Sequence, residues 1–144
     1  MTEDNQPWPA LEDGEEDITY SSDLCYRNIN PAFISGDFIS SSAFMPNRED
    51  EGELSTARSS KVTPCHHYEE FVKSGHHSDG VYSVTAKDIR EENLRWVDNE
   101  SLQEESQFMT GHAYVDFRAC VSKGARKRKA RNLARKAVCI YARS

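Results

Sequence analysis

Residues 112–141 read HAYVDFRACVSKGARKRKARNLARKAVCIY, and a change of period inside this stretch decides the fold class. In its first six residues Ala113, Val115 and Phe117 alternate with His112, Tyr114 and Asp116. That two-residue period belongs to a strand with one face turned to a core. From Ser122 the period lengthens: Ala130, Leu133, Ala134, Ala137, Val138 and Tyr141 recur at the spacing of one helical stripe. The spacing predicts a helix over 122–141, with Arg128, Lys129, Arg131, Arg135 and Lys136 on the opposite arc. A strand that hands over to a long basic helix implies an α+β domain.

Working outward, the same reading finds four more strands. Residues 22–29 close at Asn30-Pro31, because a residue before proline is pushed to extended conformations. Residues 37–45 follow the Gly36-Asp37 turn and stop at Pro46, and shorter runs lie at 53–57 and 80–85. Thr63-Pro64 supplies an N-cap and a first-turn proline for a helix over 63–73, with Cys65, Tyr68, Phe71 and Val72 on its apolar face. Thr85 with Asp88 forms a capping-box pattern for a second helix over 86–95. The expected architecture is a small mixed sheet of about four or five strands, two short helices and a long C-terminal helix.

The chain has 144 residues, enough for one domain, which we place at 21–144. Residues 1–20 are acidic, contain two prolines and lack periodicity, so they read as a disordered or loosely docked arm with Trp8 and Leu11 as its only anchors. A net charge of −6 hides an uneven distribution: residues 1–23 carry eight acids and no base, and residues 118–144 carry ten bases and no acid. No apolar run approaches the ~18 residues of a membrane span. The acidic start has no signal-peptide pattern, and Cys25, Cys65, Cys120 and Cys139 form no CxxC pair. Reduced thiols and a cytoplasmic location are expected, with no membrane partner.

Two groups of residues carry candidate chemistry. The first is Lys123, Arg126, Lys127, Arg128, Arg131 and Arg135 on the C-terminal helix. Cations in a first helical turn oppose the helix dipole, and a basic cluster is the electrostatic footprint of polyanion binding. The second is a scattered polar set: Arg27 on the first strand, the Ser40–Ser42 triplet, Asp50, Glu51 and Ser55 in the loop that follows, and His112 with Asp116 on one strand face. Arg27, Ser41, Glu51, His112 and Asp116 are its candidate catalytic members, with His112 as a general base. The Cys65-His66-His67 and His76-His77 pairs lack the converging short-spaced pattern of a zinc site, so neither a metal nor a cofactor is expected.

An arginine on an early strand, serines on the next and a later acid resemble the layout of ADP-ribosyltransferase-like and RES-type folds. That layout implies an arginine holding dinucleotide phosphates and an acid on the ribose. More closely, Tyr26-Arg27, Asn30-Pro31-Ala32-Phe33, Ser40–Pro46 and Asp50–Ser55, with Gly80–Thr85 and His112–Phe117, resemble a group of small bacterial proteins to which no activity is attached.

Three functions follow as expectations. The first is an accessory domain that binds nucleic acid or another polyanion through the basic helix. The second is a small transferase or nuclease-like toxin-type enzyme built on the Arg27 cluster. The third is a protein-interaction component engaged through the acidic arm or the basic helix.

Overall fold

The alternating run at 112–116 forms a strand buried in the middle of a seven-stranded sheet. The computed structural model describes residues 5–47 and 51–143. In chain order the elements are β1 (Glu16–Asp17), β2 (Leu24–Asn28), β3 (Ile34–Ser35), β4 (Phe38–Ile39), β5 (Glu53–Arg58), α1 (Pro64–Lys73), β6 (Gly80–Thr85), α2 (Ala86–Glu91), β7 (Arg95–Asp98), β8 (His112–Asp116), α3 (Lys123–Lys136) and β9 (Val138–Ala142). The large sheet has the order β1-β7-β8-β5-β2-β6-β9, and β3 pairs with β4 in a separate hairpin. Each neighbouring pair in the large sheet is antiparallel, so the expected mixed sheet of four or five strands is corrected to an antiparallel sheet of seven.

The extra strands come from segments whose patterns mislead. Residues 95–98 (RWVD) are buried on both faces, so the alternation that marks a half-exposed strand is missing. The second helix therefore stops at Glu91 rather than Arg95; Asn93 turns the chain in the left-handed region at φ 56°, and β7 begins two residues later. The helix expected over 122–141 ends at Lys136. Beyond it Val138, Cys139, Ile140 and Tyr141 form β9, where β-branched and aromatic side chains are favoured. That strand presses so closely on β6 that a Cβ at Gly80, which sits at φ 147°, would collide with the Tyr141 carbonyl.

The strand expected over 37–45 is also shortened. Only Phe38 and Ile39 pair, and Ser41–Phe44 form a 3-10 turn that Ser40 caps, its Oγ accepting from the Ser42 amide. Serine side chains that bond neighbouring amides draw the backbone out of a ladder. The turn plugs Ala43 and Phe44, both 1% exposed, into the core against α3.

The main core lies on one face of the sheet. There Leu54, Trp96, Ala113, Val115 and Phe117 pack with Ile89 of α2 and with Ala130, Leu133 and Ala134 of α3. A smaller cluster on the other face joins Tyr26, Ala57 and Val81 to Tyr68 of α1. Residues 5–15 also run over β7 and β8: Arg95 donates to the Pro9 carbonyl beneath the Trp8 ring, and Tyr114 donates to Glu15. No helix among the described residues is long and apolar enough to cross a membrane.

Candidate active site

Strand register brings three polar side chains together on the α1 side of the sheet. In the β5–β8 ladder Ala57 lies opposite His112 and Tyr114 opposite Ser55, so Ser55 and His112 are diagonal neighbours on one face. Alanine at position 57 gives the imidazole space to lean across. In the β7–β8 ladder Asp98 lies opposite Ala113, which leaves Asn99 beside His112 just past the strand end. The resulting chain is short: His112 Nδ1 is 2.6 Å from Asn99 Oδ1, and His112 Nε2 is 3.3 Å from Ser55 Oγ. With its carboxamide oxygen turned to the ring, Asn99 selects the tautomer that carries hydrogen on Nδ1. The Nε2 lone pair then faces the serine hydroxyl.

Electrostatics favour the same state. Burial lowers the pKa of His112 below the ordinary imidazole value, partly opposed by the negative charges of Asp98 and Glu100. His112 is therefore neutral, and able to accept a proton, at neutral pH.

Ser55 and His112 line a cavity of about 550 Å³ between the sheet, α1 and residues 103–109, with Asn99 behind the imidazole. Thr63 caps α1 by accepting from the His66 amide, Pro64 starts it, and His67, Phe71 and Ser74 then face the cavity at helical spacing. The apolar face expected for α1 is corrected here: Cys65 and Val72 are exposed, while His67 is only 5% exposed. His67 packs against Tyr26, whose ring lies 6.3 Å away. Its Nδ1 is buried and makes no hydrogen bond among the described residues. Burial, followed by the nearby His112 and Arg27, lowers the His67 pKa to about 4. An unpaired polar atom in such a place costs about 1–3 kcal/mol.

Arg27 stands where the β2–β5 ladder ends, at the pair Tyr26–Ala57. Its Nε donates to the Ala43 carbonyl at 2.7 Å and a terminal nitrogen donates to the Ser55 carbonyl at 2.8 Å. The guanidinium thereby braces the strand segment that carries Ser55 and puts a positive charge in the cavity wall. The rest of the wall is fixed by polar contacts. Gln103 exchanges hydrogen bonds with Met109, Glu70 accepts from the amide and hydroxyl of Thr110, and His76 stacks on Phe71 at 4.8 Å.

Of the five candidate catalytic residues, Arg27 and His112 line this cavity, and Ser41, Glu51 and Asp116 do not. Ser41 opens the buried 3-10 turn, and Glu51 occupies an exposed turn at φ 51° before β5. Asp50 lies outside the described residues. Asp116 is fully buried and engaged by two arginines, with Arg95 Nε at 3.0 Å and Arg118 Nε at 2.9 Å. Burial opposes its charge, but the hydrogen bonds from Arg118 and Arg95 prevail and hold its carboxyl below the usual carboxylate range. The partner of His112 is thus Asn99 rather than Asp116.

Asn99 carries no signal in the sequence, His67 stands out there only within the Cys65-His66-His67 run, and Ser55 reads as part of a polar loop. Only register reveals them, since Ser55 and Asn99 are 44 positions apart in the chain and adjacent to one imidazole. The six basic candidates lie elsewhere: α3 packs on the opposite face of the sheet, with Ala113 and Val115. No cluster of three or more metal-ligating side chains occurs among the described residues. Comparison with protein-family models, with curated proteins and with solved structures gave no match.

Proposed function

We propose that the chain is a small acyl hydrolase or acyltransferase in which Ser55 is the nucleophile and His112 its general base. The observation that carries this reading is the Ser55–His112–Asn99 chain, whose serine and histidine line the cavity. A hydroxyl is a weak nucleophile until an oriented base takes its proton as it attacks, and a third group must hold that base in the right tautomer. Here Asn99 is the orienting group. A 3.3 Å serine–histidine separation is typical of a site without substrate, where such bonds are long.

In the proposed reaction Ser55 Oγ bonds to the acyl carbon of an ester or thioester as its proton moves to His112 Nε2. The tetrahedral adduct collapses by breaking the bond to the leaving heteroatom, which takes the proton from His112. Water, or an acceptor hydroxyl, then gives its proton to His112 and attacks the acyl-serine. This releases the acid or the transferred ester and restores Ser55 with its hydrogen. The positive charge of Arg27 in the cavity wall favours a substrate that carries an anionic group beside the acyl carbon.

The test is hydrolysis of p-nitrophenyl esters, acetate compared with a succinyl half-ester. Ser55→Ala is expected to abolish turnover, and His112→Ala to lower it by ~10²–10⁴-fold. The acid limb of the rate profile should fall below the ordinary imidazole value, since activity is lost as pH drops through the depressed His112 pKa. Equal rates for wild type and Ser55→Ala would overturn the reading.

A further inference from the structure

The cations of α3 divide into two sets with different fates. Arg126 donates to the Cys120 carbonyl, Lys129 to the Glu92 carbonyl, and Lys136 pairs with Glu91 and Glu92. Those three tie the helix to the domain. Lys123, Lys127, Arg128, Arg131 and Arg135 are exposed, and no carboxylate among the described residues lies within ion-pair distance of them.

The second set is ordered in space. At about 100° per residue the five cations fall within an arc of about 140°. Lys123, Lys127, Arg131 and Arg135 follow one another four residues apart, with a rise of about 6 Å per step and about 18 Å overall. The arc's two other residues are Ala134, which is buried, and Gly124, which adds no side chain and has open space in front of it. Successive cations at this spacing repel one another, and the 14 residues of the helix include no acid to relieve them. The chain has 24 acids to place elsewhere and still leaves this surface purely positive.

We propose that this arc is a binding surface for the phosphate backbone of double-stranded nucleic acid, without sequence specificity. The occupant follows from what the arc contains. A row of evenly spaced positive charges matches a polymer with evenly spaced negative ones. The arc has no aromatic side chain on which an unpaired base would stack, so a single strand gains nothing over a duplex. It also lacks the apolar centre that a protein interface needs. The surface is on the opposite side of the sheet from the Ser55 cavity, so it is a second function and not a substrate guide.

The test is fluorescence anisotropy of the full chain with labelled duplex DNA of about 20 base pairs, at about 50 and 200 mM salt. Four to five phosphate contacts predict that affinity falls roughly 100- to 500-fold between the two conditions. The triple variant Lys127→Ala/Arg131→Ala/Arg135→Ala should lose most of the low-salt affinity, whereas Lys73→Ala/Lys87→Ala, away from the arc, should not. Circular dichroism of the triple variant, with the single change Arg131→Gln beside it, separates lost binding from lost folding. Ser55→Ala should bind DNA as wild type does. Binding that ignores salt, binding unchanged in a folded triple variant, or an equal affinity for poly-glutamate would each overturn the proposal.

Discussion

The two faces of the sheet use polar residues in opposite ways. On the α1 face, His67, His112 and Ser55 are drawn inward around a cavity that Arg27 helps to line, and strand register fixes the positions of Ser55 and His112. On the α3 face the protein keeps an apolar core beneath the helix and turns five cations outward. A polar group that is buried must be paired or it costs stability, so a deliberately unpaired one points to a ligand. A cation in solvent costs little by itself, and only its arrangement with other cations carries information. The inward face therefore speaks through single atoms, the outward face through a pattern.

Substitutions can break this contrast, beginning with the largest effect. Asp116→Asn leaves Arg95 and Arg118 without their buried anion and should destabilise the fold by about 3–5 kcal/mol in urea titration. His112→Asn, on the same strand face, should change stability far less while removing activity. Comparable losses from both would mean that the cavity is only a structural polar network.

His67 gives a sharper test because its two roles pull apart. Its folded pKa of about 4 lies below the ordinary 6.5, so the unfolded chain binds the proton first. Stability from this group is complete above pH 6.5 and is lost as pH falls towards 4, by about 3 kcal/mol in all. His67→Leu should remove that part of the pH slope, stabilise the protein by about 1 kcal/mol at pH 7, and weaken substrate binding. A variant that gains stability and keeps KM unchanged would remove His67 from the site.

The smallest effect belongs to α3. Arg131→Glu breaks two like-charge contacts at four-residue spacing and should raise stability by about 0.3–1 kcal/mol in thermal melts at low salt. The gain should shrink as salt is added. A loss of stability would show that Arg131 supports the fold, and the arc would then need no ligand to explain it.

How much of this was legible in the sequence depended on where each signal sits. The strand at 112–116, the caps Thr63 and Thr85 and the basic helix are local patterns, and each appears close to its expected place. Strand β7 was hidden because Trp96 and its neighbours are buried on both sides, which erases alternation. Strand β9 was hidden because Val138 and Tyr141 continue the helical stripe by coincidence of spacing, and only pairing with β6 draws them out of it. The candidate site was half legible. Arg27 and His112 stand out as polar residues on strands, whereas Ser55 and Asn99 acquire meaning only once β5, β7 and β8 are aligned.

The central claim is that Ser55 is a nucleophile activated by His112, and labelling with a fluorophosphonate tests it most directly. Attack by Ser55 Oγ on phosphorus expels fluoride and leaves a phosphonyl ester whose mass can be located by peptide sequencing. The account predicts one adduct, on Ser55, formed faster as pH rises through the His112 pKa and suppressed in His112→Ala. No adduct on Ser55 under conditions that label a known serine hydrolase, or equal labelling in His112→Ala, would contradict it.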